Sequence, residues 1–279
     1  MGEPMNTRWL VRAARLLLLP FLILSFAPFA HAQERPSVFL EDLTWTELRD
    51  DIAAGKTTII VPIGGTEQNG PAIALGKHNR RVKLLSERIA LSLGDALVAP
   101  VIAYVPEGSL SPPTAHLRFP GTIGVPEAAF ETILEYAARS FKLHGFKDIV
   151  FLGDHGGYQA NERNVANKLN REWASSNVRA HAIAQYHDAA QIDFARILRS
   201  QGFTPSEIGT HAGLNDTSLM LALDPSLVRE DRLSSGTKFG SADGVYGDPS
   251  KASAKLGMLG VDAIVSQTVA AIKSAVSQR

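Results

Sequence analysis

The side chains with which this sequence could do chemistry fall into four short stretches. In Gly64-Gly65-Thr66-Glu67-Gln68-Asn69-Gly70-Pro71, continued by Leu75-Gly76-Lys77-His78-Asn79, a carboxylate and an imidazole stand eleven residues apart. A loop of that length can fold Glu67 and His78 onto one metal ion. The same residues also suit a solvated turn in which Asn79 caps a helix. His116 and Arg118, in His116-Leu117-Arg118-Phe119-Pro120-Gly121-Thr122, offer a grip on a substrate carbonyl or carboxylate, or simply line a polar surface loop. In Gly153-Asp154-His155-Gly156-Gly157-Tyr158 the imidazole follows an apolar run almost directly, and two glycines let backbone approach it closely. His155 therefore reads as a metal ligand, a general base or a hydrogen-bonded core histidine. The fourth stretch, Thr210 to Ser218, carries His211 and Asp216. A helix start explains Asp216 as a cap but leaves His211 unexplained. His144, last before Gly145, reads as a helix-dipole partner, and His181 and His187 as structural. With no cysteine in the chain, thiol catalysis, disulfides, zinc fingers and iron–sulfur clusters are excluded. Any metal must be held by imidazole and carboxylate.

These stretches follow or lie close to predicted strand ends, where open α/β sheets place their ligand crevice. Thr57 to Ile63 is a β-branched apolar run, read as a strand buried on both faces. Ala96–Val105, Asp148–Leu152 and Val178–Ala184 read as three further strands. Helices are expected from the capping box Thr44-x-x-Glu47, over Arg80–Leu93 and from Pro126 to Gly145. Others are expected over Gln159–Trp173, Ala189–Gln201, Thr217–Leu223 and Val261–Val276. Alternation of strand and helix predicts a three-layer α/β/α fold with a mostly parallel central sheet. No internal repeat or linker composition interrupts it, so residues 33–279 read as one domain.

The first 32 residues read as an address. Arg8, Arg12 and Arg15 precede an apolar run to Ala30, and Ala30-His31-Ala32 is a small-x-small cleavage pattern. That is the order of a secretory signal peptide, with an uncleaved anchor as the alternative. Export, most simply to a bacterial periplasm, is the expectation. Cleavage would remove three Arg and one Glu from 28 basic and 28 acidic residues, leaving a formal charge of −2. A chain without positive excess is not a general nucleic-acid binder, and once cleaved it has no expected membrane partner.

Taken together, the four stretches resemble the motifs of the creatininase family of creatinine amidohydrolases and related metal-dependent amide hydrolases, and they occur in the same order. The family pattern G-S-x-E-Q-H-G-P-H-x-P-x-G-x-D corresponds to Gly64–His78, and H-x-x-F-P-G-T is intact as His116–Thr122. N-G-H-G-G-N corresponds to Gly153–Tyr158 and H-A-G-x-x-E-T-S to His211–Ser218, while Gly247-Asp248-Pro249 resembles a family G-D-P turn. The resemblance implies a compact α/β/α fold, assembly into homo-oligomers such as hexamers, and one or two divalent ions, commonly zinc, manganese or iron. It also implies a small-molecule substrate whose cyclic or linear non-peptide amide bond is hydrolysed. Glu67 and His155 match family metal ligands. Departures follow: Asn69 replaces a ligand histidine, His78 a bridging aspartate and Gly157 a second carboxylate, while Asp154 replaces a glycine and Asp216 a glutamate. The expected site is therefore a single divalent ion, zinc first, held by Glu67, His78 and His155 with Asp154 as ligand or as orienting partner. An ion-activated water would attack the carbonyl, His211 would shuttle the proton to the leaving nitrogen, Asp216 would orient His211 or the water, and His116 would contact substrate. The rival reading is a catalytically degenerate relative that binds a small ligand or metal in the periplasm.

Overall fold

The computed structural model describes residues 1–2 and 37–278. All but the first two residues of the expected signal segment lie outside that range. The chain divides into Met1–Pro36 and Ser37–Arg279, and the fold is that of the second unit.

Four parallel strands form the sheet in the order β2-β1-β3-β4. They are β1 (Thr58–Ile63), β2 (Ala96–Val98), β3 (Asp148–Gly153) and β4 (Arg179–Ala182). After Thr58 and Asp148 the central pair is continuous apolar sequence, and every residue of β1 and β3 is buried, as a strand covered on both faces requires. The helices are α1 (Trp45–Ala53), α2 (Lys77–Leu93), α3 (Glu127–His144) and α4 (Gln159–Glu172). After β4 come α5 (Ala184–Asp188), a π turn at Ala189–Asp193, α6 (Phe194–Ser200) and α7 (Pro205–Ile208). Then follow α8 (Leu214–Leu223), α9 (Glu230–Leu233) and α10 (Ala254–Ser277).

Alternate strand residues feed two cores. Ile60, Val98, Val150 and Leu152 pack with α2, α6, α8 and α10, while Ile59, Val61, Ile149 and Phe151 pack with α3 and α4. Each fully buried aliphatic or aromatic side chain contributes about 1.5–3 kcal/mol relative to exposure. The expected parallel sheet with helices on both faces is thus the architecture observed. Parallel register sets Ile63 opposite Gly153. The loops that leave β1 and β3 therefore emerge side by side, at the carboxyl edge of the sheet.

Several boundaries differ from expectation. The second strand stops at Val98 because Pro100 has no N–H for the ladder. The chain still follows β1 irregularly, through Ala99 N–H to Ile60 O (2.8 Å) and Ile102 N–H to Pro62 O (3.0 Å). Helix α10 starts at Ala254, where Ser253 accepts from the Leu256 amide as its cap. Helix α2 starts at Lys77 rather than Arg80, and its first turn buries Lys77, His78 and Arg81. Apolar periodicity begins only at Val82, so polar residues facing a site hid that turn.

Candidate metal centre

Glu67 leaves β1 on the loop after Gly64-Gly65 and is wholly buried. Its neighbours on the loop are fixed by backbone. Gln68 Oε1 accepts from Gly70 N–H (2.9 Å) while its amide nitrogen donates to Gly244 O (3.1 Å). Asn69 turns its amide away, donating to the carbonyls of Glu67 (2.9 Å) and Ala74 (3.2 Å). Its amide nitrogen is spent on holding the loop, while Oδ1 is buried without a partner.

One side of Glu67 meets a closed network of charge. Glu67 Oε1 pairs with His78 Nε2 at 2.6 Å, and His78 Nδ1 pairs with Asp154 Oδ2, also at 2.6 Å. With a carboxylate on each nitrogen, this imidazole must donate twice. Burial and the Lys77 ammonium push His78 down, but Glu67 and Asp154 outweigh them and hold it above its ordinary value. Arg81 spans the two aspartates, with Nε on Asp154 Oδ2 (2.9 Å) and Nη1 on Asp216 Oδ1 (2.6 Å). Tyr186 donates its hydroxyl to Asp154 Oδ1 (2.6 Å). Asp216 Oδ2 accepts from Lys77 Nζ (3.0 Å) and from Ala212 N–H (2.9 Å). Burial would raise both aspartates, yet Arg81 and His78 hold Asp154, and Lys77 and Arg81 hold Asp216, below the usual carboxylate range. Three cations, Lys77, His78 and Arg81, thereby balance Glu67, Asp154 and Asp216. Buried charge of this kind is tolerated only when it is paired.

The other side of Glu67 is different. Oε2 is buried with no hydrogen-bond partner, yet the Nε2 atoms of His116 and His155 each lie 3.5 Å from it. His211 Nδ1 is 3.6 Å from Oε1. Two atoms bound tetrahedrally to one ion at about 2.0–2.1 Å stand about 3.3–3.4 Å apart. The wider spacings here suit a shared cation, whereas the 2.6 Å contacts of His78 are hydrogen bonds. Donor atoms of Glu67, Glu107 and His155 lie within 4.8 Å of one another, as do those of Glu67, His116 and His211. Glu107 is buried, its two oxygens have no partner, and burial with Glu67 nearby pushes its carboxyl up to about 8. Burial drives His155 down to about 3 and His211 down to about 4, the latter helped by Lys77. Both are neutral imidazoles, the form a cation or a proton transfer requires.

Tyr158 aims His155. Its hydroxyl accepts from the amides of Asp154 and His155, both at 3.1 Å, and donates to Gly64 O at 2.6 Å, stitching the two loops together. Gly157 N–H lies 3.0 Å from His155 Nδ1, which turns Nε2 toward Glu67. His116 and His211 stack at 4.3 Å between ring centroids. Ala115 (φ 46°) and Ala212 (φ 52°), their chain neighbours, both take the left-handed conformation. That strain costs about 1–3 kcal/mol each and gathers where a site must be aimed. A cavity of about 510 Å³ opens over these rings, lined among others by Lys77, His187 and Tyr246, a size suited to a small molecule.

All seven side chains expected at the site therefore meet in one place. Glu67 and His155 face the open side, and His116 and His211 stand across from them. His78 and Asp154 do not join them as donors around one point, because their facing atoms are bonded to each other and to Glu67, Arg81 and Tyr186. Asp216 spends its oxygens on Lys77, Arg81 and Ala212. Sequence reasoning missed Lys77, Arg81 and Glu107. The only signal for Glu107 was its position in Pro106-Glu107-Gly108, just past an apolar run. Lys77 and Arg81 frame His78 at i−1 and i+3, a helical spacing.

Residues 41–272 match the family model described as "Creatininase: Creatinine amidohydrolase". The chain is 29% identical over 223 residues to a mycofactocin precursor peptide peptidase of Mycolicibacterium smegmatis, covering 71% of this chain and 77% of that one. It is 29% identical over 204 residues to a creatinine amidohydrolase of Pseudomonas putida, with 71% and 76% covered. The crystal structure of a creatinine amidohydrolase superposes with a TM-score of 0.72 at 25% identity, covering 86% of this chain and 98% of that one. Other similar creatininase structures are described as a Zn-Zn type and as a Mn form.

Proposed function

The chain belongs to the creatininase family of metal-dependent amidohydrolases, and from that premise we propose that it hydrolyses a C–N amide bond of a small exported-compartment substrate with one divalent ion. The carrying observation is Glu67 Oε2, a buried carboxylate oxygen without a partner that faces imidazole nitrogens at 3.5 Å beneath a cavity. Glu67 and His155 would hold the ion, with zinc preferred over manganese or iron for this donor set. To hold the ion through Nε2, His155 would carry its ring proton on Nδ1 in place of the contact from Gly157 N–H. A single ion fits the chain better than two, because Asp154 and Asp216 are already neutralised by side-chain cations.

When bound, the ion supplies Lewis acidity toward the carbonyl and lowers the pKa of water. The rest of the reaction falls to the protein. Gln68 O accepts from His211 Nε2 at 3.0 Å, so the free lone pair of this neutral ring is on Nδ1, on the side of Glu67. His211 Nδ1 takes the proton released by the attacking water and returns it to the leaving nitrogen. His116 Nδ1 accepts from the Gln68 amide (2.8 Å), which leaves Nε2–H to donate to substrate. Lys77, held by Asp216, places its ammonium in the cavity wall, where it stabilises developing negative charge. Asp216 thus acts on the reaction through Lys77.

The test combines elemental analysis of chelator-free protein with a substrate panel, read by mass spectrometry as the gain of one water in creatinine, lactams and hydantoins and as release of ammonia or amine from linear carboxamides. About one ion per chain, and turnover abolished both by chelation and by Glu67→Ala, is the expected result. Turnover that survives Glu67→Ala with undiminished metal dependence overturns the ligand assignment.

A further inference from the structure

We infer that Glu107 is a second carboxylate ligand of the ion, standing with Glu67 and His155 in a site of charge −2. The inference rests on the metal-dependent reading above and adds a residue that none of the four motif stretches contains. Backbone contacts fix its position. Ile63 bridges Ile102 and Val105 bridges Gly124 in parallel fashion, and Val125 N–H donates to Val105 O at 3.1 Å. The segment 102–107 is therefore carried along the end of β1 until Glu107 reaches the flank of Glu67. Its side chain is only 5% exposed. Two glycines make the room: a Cβ on Gly65, at φ +142°, would stand 3.3 Å from Glu107 Oε1, and one on Gly124 would stand 3.4 Å from Glu107 Cβ.

What this carboxyl group does not do carries the argument. Oε1 and Oε2 are both buried and both lack a hydrogen-bond partner. An unmet buried polar group costs about 1–3 kcal/mol, and what sets Glu107 apart from Glu162, whose Oε1 is also unmet, is the second carboxylate and the imidazole grouped with it. The nearby cations are engaged elsewhere, Arg81 with two aspartates and Lys77 with Asp216. Facing Glu107 across the gap are the orphaned Oε2 of Glu67 and the His155 imidazole, with donor atoms within 4.8 Å of one another. One oxygen from each of two buried carboxylates and a neutral imidazole, within 4.8 Å of one another, form a donor set for a divalent cation, and the two carboxylates balance its charge. Where the family pattern has lost a bridging aspartate to His78 and a second carboxylate to Gly157, Glu107 restores an acid from a different loop.

The test is zinc binding by titration calorimetry and thermal melting, with and without zinc, for the full chain and for Glu107→Gln. The isosteric amide is expected to weaken zinc binding about 100-fold or more, since even orienting partners of ligands cost 10–100-fold, and to erase most of the zinc-induced rise in Tm. The zinc-free variant should melt at or above the zinc-free wild type, because an unpartnered buried carboxyl has become a neutral amide of the same shape. Glu107→Asp, which keeps the charge on a shorter arm, should bind zinc more tightly than Glu107→Gln. Wild-type affinity in Glu107→Gln overturns the assignment while leaving the metal-dependent reading intact. A wild-type protein that takes up no divalent ion overturns that reading and this inference together.

Discussion

Glu162 shows how a buried acid differs from a site acid in this protein. It lies on α4 behind the carboxyl end of β3, so close to Gly153 that a Cβ there would stand 1.9 Å from Glu162 Oε1. Burial pushes its carboxyl up to about 8, and among the described residues it belongs to neither group of three potential ligands. The folded state therefore holds a proton that the unfolded chain releases near pH 4.5. Because the native state binds more protons, stability is full below about pH 4.5 and falls as pH rises toward 8. Glu162→Gln should remove that fall. In urea titrations the variant's stability relative to wild type should grow from pH 4.5 to pH 8 by an amount on the order of a few kcal/mol. A parallel pair of pH profiles would show that Glu162 is already ionised at neutral pH. At this scale the sequence was readable by type: Glu67, His78, His116, Asp154, His155, His211 and Asp216 could be singled out as polar residues near strand ends. Their pairings were not readable. Asp154 finds Arg81 and Tyr186, which lie 73 and 32 residues away in the chain, and no local spacing encodes such neighbours.

Helix α2 is the element on which the charge network depends. Gly76 precedes it without a side-chain cap, and the first turn places Lys77, His78 and Arg81 at the positive end of the helix dipole, where cations are disfavoured. Glu67, Asp154 and Asp216 offset that cost, so the helix start and the two loops hold one another in place. Arg81→Met would leave Asp154 and Asp216 with one cation fewer in a dry interior. The expected loss is about 3–5 kcal/mol in urea unfolding. Arg81→Lys should recover only part of it, since an ammonium cannot serve both aspartates as the guanidinium fork does. A loss below about 1 kcal/mol in Arg81→Met would show that the network is not what fixes this turn. The same element explains why one boundary was misread. Its apolar face starts at Val82, and the turn before it obeys the site's electrostatics instead of hydrophobic periodicity. Strands β1 and β3 were legible because burial on both faces leaves an unbroken apolar run, which Pro100 denies to β2.

On the scale of the whole chain, the cores and the proposed site are drawn from the sequence after the leading segment. Among the described residues, the three apolar clusters are built from Val38 onward, and every side chain of the proposed site lies between Glu67 and Asp216. Helix α10 is long and apolar enough to cross a membrane by length and composition, but Val261, Ile264 and Ile272 enter the core shared with α2 and α8. Residues 1–32, by contrast, combine three arginines, an apolar run and Ala30-His31-Ala32 without contributing a single expected site residue. Export followed by cleavage after Ala32 would therefore leave the sheet, the charge network and the cavity walls in the mature chain, with Gln33 as its first residue. Expressed at full length in a Gram-negative host, the protein should be recovered from the periplasmic fraction beginning at Gln33, by N-terminal sequencing and intact mass, with the same zinc affinity as a chain made from residue 33. Full-length protein extracted only from membranes would make the segment an anchor. The proposed substrate would still be met outside the cytoplasm, but by an enzyme tethered at the surface.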